Sequence, residues 1–371
     1  LKIMFLTNLP SPYRIDFFNE LGKISDLTVV FERSRSTSRD SRWRSVLKET
    51  NFNEVYIKGV NIGDESSISL GAIRLIKRNN YDAIVISGYS SITSMLTILY
   101  LNICKIPFIL SVDGGIIGNE SKFKYNLKKY LISKASLWLS TGKATTDYLI
   151  HYGAKREKIN VYPFTSIKKS DIRISIPTLK SNYKEKLGMK EKKIILSVGQ
   201  FIYRKGYDVL LEACSKMDKD IGVYIVGGSP PKEYTILKEK FKLDNVYFID
   251  FKTKSELSDY YMAADLFILP TREDIWGLVI NEAMAHGLPI ITTENCVAGL
   301  ELVLSGENGY IIPVNNSKEI IDKTIGILAD ENLQLSMSEK SLDIISNYTI
   351  ENMAMVCYKI FKQSSFNFRK R

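Results

Sequence analysis

Histidine is nearly missing: the chain has two in 371 residues, too few for a His-rich metal centre. Cysteine is sparse as well. Cys104, Cys214, Cys296 and Cys357 stand far apart with no Cys-x-x-Cys pair, which reads as reduced core thiols of a cytosolic protein. Long apolar runs are also lacking. The uncharged stretch SITSMLTILYLNIC (91–104) is shorter than the roughly 20 residues a spanning helix needs, and it carries Ser, Thr and Asn. It is expected to be a buried helix leading into the strand PFILSV. The opening KIMFLTN is too short for a signal peptide and runs at once into LPSPYR, so a soluble or peripheral protein is expected. No Gly-x-Gly-x-x-Gly occurs, which leaves a nicotinamide-type dinucleotide fold with little support. Acidic charge is the minority sign. Net charge is +10, which suggests an anionic partner: a nucleic acid, an acidic membrane or a phosphorylated ligand.

What is present is an alternation. Hydrophobic residues make up 45% of the chain, material for two cores at this length. Short apolar runs fall at 2–6, 27–31, 83–87, 107–112, 137–140 and 159–162, then at 193–198, 222–227, 246–249, 265–269, 289–293 and 308–312. Helical patterns separate them. Runs apolar on both faces are expected of parallel strands covered by helices, so the chain reads as two doubly wound α/β domains. They are expected at 1–165 and 191–348, joined by a lysine-rich linker with a short helix at 166–190. A last helix at about 349–371 is expected to pack back on the first domain. Ligands of such sheets bind beyond the carboxyl ends of the strands, so the loops there are where chemistry should lie.

Two of those loops carry charge. GQFIYRKG (199–206) follows a strand, and Gly199 permits a tight exit. Arg204 and Lys205 then sit just before a helix starting at Gly206, a cradle suited to a diphosphate. A solvated basic turn would look the same in isolation. GGSPP (227–231) supplies a second glycine-bearing loop at the same edge. The stretch TREDIWGLVINEAMAHGLPIITT (271–293) adds carboxylates on both sides of a helix start at Gly277, Asp274 before it and Glu282 inside it. Carboxylates accept hydrogen bonds from vicinal hydroxyls, so the pair suits a nucleotide-sugar; an acidic cap plus an exposed Glu is the plainer alternative.

At these residues the sequence resembles the family-4 retaining glycosyltransferases of the GT-B fold. VGQFIYRKGYDVLLEA (198–213), YFIDFKTKSELSDYYMAADLFILPT (247–271) and DIWGLVINEAMAHGLPIITT (274–293) match the family's donor-domain blocks in order and spacing. The likeness is looser in NLPSPYRIDFFNEL (8–21) and SVDGG (111–115). The resemblance implies two Rossmann-like domains facing across a cleft, with acceptor bound by the first and nucleotide-sugar by the second. It implies that Lys205 and Arg204 bind the diphosphate, Glu282 the ribose and the backbone around Phe251 the base. Gly199, Gln200, Gly227, Trp276, Gly277 and Leu278 complete the donor contacts, and Tyr13, Arg14 and Asp113 face the acceptor. The family's Glu-x7-Glu pattern is broken: Asp274 stands where the first Glu belongs, which puts sugar selectivity in doubt. Gln200 replaces a common Arg, a charge Arg204 can supply. His286 is expected to pack the helix.

No metal or other cofactor is implied. Asp218-Lys-Asp220 lies on the entry edge of the sheet and reads as a turn. FERSRSTSRDSRWR (31–44) and ESKFKYNLKKYLISK (120–134) interleave aromatic residues with cations, as an anionic membrane interface or single-stranded nucleic acid would favour. The resemblance favours the membrane, with a lipid-diphosphate-linked sugar or oligosaccharide as acceptor of a surface polysaccharide and a UDP-sugar as donor. A sugar-nucleotide epimerase, a phosphorylase-like enzyme and a basic nucleic-acid-binding protein are the alternatives.

Overall fold

The computed structural model describes residues 1–34, 50–62, 66–174 and 177–369. Residues 35–44 of the basic loop therefore lie outside the described residues. The chain divides into two units: 1–166 with 349–371, and 167–348.

Unit 1 begins with β1 (Lys2–Thr7), whose Ile3, Met4, Phe5 and Leu6 are all buried, as a strand covered on both faces requires. The first helix, α1 (Pro12–Gly22), has Pro12 in its first turn, where the missing N–H costs no hydrogen bond. β2 (Asp26–Phe31), β3 (Asn53–Tyr56), the antiparallel pair β4 (Val60–Ile62) and β5 (Ser66–Ile68), and α2 (Gly71–Arg78) come next. Then strands and helices alternate: β6 (Ala83–Ser87), α3 (Ile92–Ile103), β7 (Ile109–Val112), α4 (Lys122–Ser133), β8 (Leu137–Ser140), α5 (Lys143–His151) and β9 (Ile159–Val161). Among the described residues the main sheet runs β3-β2-β1-β6-β7-β8-β9, every pairing parallel. α3 is the helix expected from the uncharged run 91–104; Ser91 caps it by accepting from the Ser94 N–H at 3.0 Å.

Unit 2 holds α6 (Pro177–Lys186), β10 (Lys193–Val198), α7 (Tyr207–Cys214), β11 (Ile221–Val226), α8 (Lys232–Lys240), β12 (Val246–Ile249) and α9 (Lys254–Ala263). It continues with β13 (Leu266–Leu269), α10 (Leu278–Ala285), β14 (Ile290–Thr293), α11 (Val297–Leu302), β15 (Gly309–Ile312), α12 (Ser317–Ala329) and α13 (Glu331–Ile345). Its sheet is also all parallel, ordered β12-β11-β10-β13-β14-β15. The order reverses beside β10, so the loops after β10 and β13 part there and leave the crevice that such sheets use. The last helix, α14 (Ile350–Arg369), belongs to unit 1 and packs on α1.

Lysines of the segment read as a linker are fixed to unit 2. Lys180 and Lys184 reach Asp265 at 2.8 and 2.9 Å. Burial alone would raise the Asp265 carboxyl, but the two ammonium groups outweigh it and hold it below its ordinary range.

Candidate functional site

The carboxyl edge of unit 2 gathers most of the residues singled out in the sequence. After β10 the chain makes one turn of 3₁₀ helix, Tyr203–Lys205, and enters α7 through Gly206 at φ +69°. A side chain at Gly206 would be strained there, and its Cβ would come within 2.1 Å of the Pro270 carbonyl oxygen. Glycine is what lets the Arg-Lys turn lie against the loop after β13. Gly227, at the end of β11, does the same for Gly199, whose carbonyl oxygen a Cβ at 227 would meet at 1.8 Å.

That contact puts Lys205 on Asp274. The ammonium lies 2.5 Å from Asp274 Oδ2, with both side chains nearly buried, at 11% and 12% exposure. Arg204 is the outer cation: its side chain is 46% exposed, it stands 3.7 Å from Asp274 Oδ1, and it donates to the Glu273 carbonyl at 3.0 Å. The Asp274 backbone is held by the loop after β14, donating to Asn295 O at 2.9 Å and accepting from Val297 N at 3.1 Å. A partly buried charge pair is thus built into rigid backbone, beside a solvent-facing arginine.

Gly277 caps α10 at φ +98°, and Leu278 follows half-buried in the first turn. Glu282 lies one turn further, half-buried, and accepts a hydrogen bond from the Tyr261 hydroxyl at 3.1 Å. Behind it, His286 Nδ1 pairs with the Glu282 carbonyl at 2.7 Å and Nε2 with Ser258 Oγ at 2.8 Å. A carbonyl can only accept, so Nδ1 carries the proton and Ser258 donates to Nε2. Burial lowers the His286 pKa, and the neutral ring stacks on Tyr261. His286 packs the helix. Gln200 is exposed, Phe251 is half-buried just beyond β12, and the Phe251 N–H donates to the Asp250 side chain.

Trp276, expected among the donor contacts, is 4% exposed, and its Nε1 donates to Asn281 Oδ1 at 2.9 Å. The indole is core under the loop, and the Trp276 main-chain carbonyl accepts from Cys296 Sγ and Ala298 N. The Cys296 thiol, pushed up to about 12 by burial and then by the Asp274 charge, stays protonated.

Asp113, Tyr13 and Arg14 belong to unit 1. Asp113 follows β7 and stays 32% exposed, while Arg14 on α1 is 3% exposed and holds both Asp113 oxygens through Nη2 at 2.5 Å. The same nitrogen donates to Ser87 Oγ at 2.8 Å. Burial alone would lower the Arg14 guanidinium; Asp113 and the nearby phenols hold it above its ordinary value. Arg14, expected to face the acceptor, is paired with Asp113. Tyr13 packs edge-on against Phe164. Asp218-Lys-Asp220 is an exposed turn before β11, closed by Asp220 N donating to Asp218 Oδ1.

Arg272 and Asp208 escaped the sequence reading, although both stand inside quoted motifs. They form a bidentate pair at 2.8 and 2.6 Å, and the separation of 64 residues hides it.

Residues 180–343 match the family described as glycosyl transferases, group 1. The matched stretch lies within the second unit. Among relatives, an uncharacterized glycosyltransferase of Haemophilus influenzae is 35% identical over 178 residues, 46% of this chain and 49% of that one. The lipopolysaccharide glucosyltransferase WaaG of Escherichia coli is 30% identical over 166 residues, 43% of this chain and 44% of that one. The chain spans about half the length of these curated relatives. Over the whole chain the fold is shared with solved structures: HepE of Anabaena, crystallised with UDP and glucose, superposes with a TM-score of 0.77 at 18% identity, covering 100% of both chains. The two parallel α/β units are those of the GT-B fold.

Proposed function

We propose that this protein is a group 1 glycosyltransferase of the retaining type. It moves a hexose or N-acetylhexosamine from a UDP-sugar to a lipid-diphosphate-linked or oligosaccharide acceptor, in the synthesis of a capsule, exopolysaccharide or O-antigen. The observation that carries this reading is the meeting of Arg204, Lys205 and Asp274 at the carboxyl edge of unit 2, beside the start of α10. WaaG, named for glucosyl transfer to lipopolysaccharide, and HepE, bound to UDP and glucose, support it.

In this reading the diphosphate lies on Arg204, Lys205 and the N-terminal end of α10, Glu282 holds the ribose and Asp274 the sugar. As the bond from the sugar to phosphate breaks, charge grows on the diphosphate, where two fixed cations already stand. The acceptor hydroxyl attacks on the same face, and its proton passes to the departing phosphate oxygen. Asp113 of unit 1, oriented by Arg14, positions the acceptor. Thermal-shift screening against a panel of sugar nucleotides tests the donor, because binding raises stability by mass action. UDP and one UDP-sugar are expected to raise the Tm; no shift with any sugar nucleotide would remove the reading.

The cations also make a metal dispensable. Turnover in excess EDTA is expected to stay close to that with magnesium or manganese. Activity lost on chelation and restored by manganese would mean that the diphosphate charge is met elsewhere.

The same reading places the protein at the anionic, cytoplasmic face of a membrane. No helix among the described residues is long and apolar enough to cross one. On α4, Phe123 is 77% exposed, with Leu127 and Tyr130 also exposed beside Lys122, Lys124 and Lys129 and the preceding Ile116 and Ile117. Apolar groups among cations suit such a surface. Lys128 is not part of it, being paired with Glu120 at 2.7 Å and set over the Tyr152 ring. Vesicles containing anionic lipid are expected to bind the protein, less so as salt rises, and changing Lys122, Lys124 and Lys129 to Glu should release it. A triple variant that binds as well as wild type would make α4 an ordinary solvated face.

A further inference from the structure

Arg272 lies just past β13 and commits its guanidinium to three segments of the chain. Nε donates to Asn315 Oδ1 at 2.7 Å, beyond β15, and Nη1 to the Tyr203 carbonyl at 2.7 Å. Nη1 and Nη2 take the two oxygens of Asp208, in the first turn of α7, at 2.8 and 2.6 Å. The plane of the group also covers the Tyr203 ring, with Cζ 4.1 Å from its centroid. Two further bonds reinforce the staple, since Arg272 N donates to Arg204 O at 2.7 Å and the Thr271 hydroxyl donates to the same oxygen at 2.8 Å.

These bonds converge on one object, the Tyr203–Lys205 turn. Arg272 grips its first carbonyl and its second, and Asp208 anchors the helix that leaves it. Of the turn's own cations, Arg204 is nearly half-exposed, whereas the Lys205 ammonium is fixed on Asp274. With four of its five N–H groups committed inside the protein and its side chain 14% exposed, Arg272 has little left to offer a ligand. Its fork matches a carboxylate and two carbonyls at once, which a lysine ammonium cannot do.

We infer that Arg272, together with Asp208, is a positioning residue for the donor diphosphate: it fixes the Tyr203–Lys205 turn so that Lys205 and Arg204 present their charges beside Asp274. The inference rests on the reading that this turn takes the diphosphate of a nucleotide-sugar. Because Arg272 acts through the turn, its removal loosens the cations without deleting either of them. The signature is coupling to Lys205, which a general loss of stability would not produce.

The test is calorimetric titration of UDP into four full-length proteins: wild type, Arg272→Lys, Lys205→Met and the double variant, each with its Tm measured. Arg272→Lys is expected to weaken UDP by about tenfold, the scale of one charge-assisted contact, with Tm lowered by only a few degrees. In the Lys205→Met background the same change is expected to alter UDP affinity by less than about twofold. Unchanged affinity in Arg272→Lys, or an equal loss in both backgrounds, would overturn the inference while leaving the diphosphate site standing. Full UDP affinity in Lys205→Met would instead remove the reading beneath it. Should Arg272→Lys not fold, Asp208→Asn breaks the same fork from the other side and carries the same expectations.

Discussion

Glu282→Gln weakens free UDP and a UDP-sugar alike, by about 1–3 kcal/mol, the range for a hydrogen bond to a charged group. The physical reason is that the ribose does not react. In the proposed reading its contact with Glu282 is the same before and during transfer, so its loss is expected to raise the dissociation constant and leave the chemical step largely untouched. The variant keeps the shape of the site. The substituted amide retains an oxygen able to accept from the Tyr261 hydroxyl, which donates to Glu282 at 3.1 Å, and the backbone carbonyl that receives His286 Nδ1 is unaffected. A drop in UDP affinity with an unchanged Tm therefore reports the ribose contact. A silent variant would return α10 to a capped, solvent-facing helix.

Asp274→Asn fails in the opposite way. The partner assigned to Asp274 is the transferred sugar, so turnover is expected to fall by roughly 10²-fold, the scale for removing one preorganised polar contact from a transition state, with UDP affinity nearly intact. Lys205 sharpens the expectation. Its ammonium is held on Asp274 at 2.5 Å, and neutralising the carboxylate leaves that cation freer to meet a diphosphate. UDP affinity should accordingly hold or rise. A loss of UDP binding equal to that of Glu282→Gln would end the division of labour between the two carboxylates. Asp274→Glu restores the residue usual in the resembled family and is the natural companion variant for donor choice.

How much of this is legible in the sequence follows from the kind of signal each feature leaves. Runs such as IILSV and DLFIL read as strands because both of their faces are buried, a pattern local to the strand itself. The short β3, Asn-Glu-Val-Tyr, escapes because it is an edge strand with exposed and half-exposed residues throughout, so its apolar signal is weak. The charged loops of unit 2 are visible as motifs because their charges sit within a few residues of glycines that set the turns. What the motifs do not show is which way a side chain turns. The Trp276 indole is buried, Arg14 is buried against Asp113, and Lys128 is half of an ion pair. The Arg272–Asp208 fork is hidden for a related reason. Its two halves lie in different motifs and meet only because Gly206 lets the turn approach Pro270.

The most direct measurement is calorimetric titration of UDP into the wild-type protein, Glu282→Gln and Asp274→Asn under one set of conditions with EDTA present. The account predicts one UDP site in the wild type, an affinity loss of about 1–3 kcal/mol in Glu282→Gln, and affinity in Asp274→Asn equal to wild type or better. No UDP binding by the wild type without a divalent metal, or equal losses in the two variants, would contradict it.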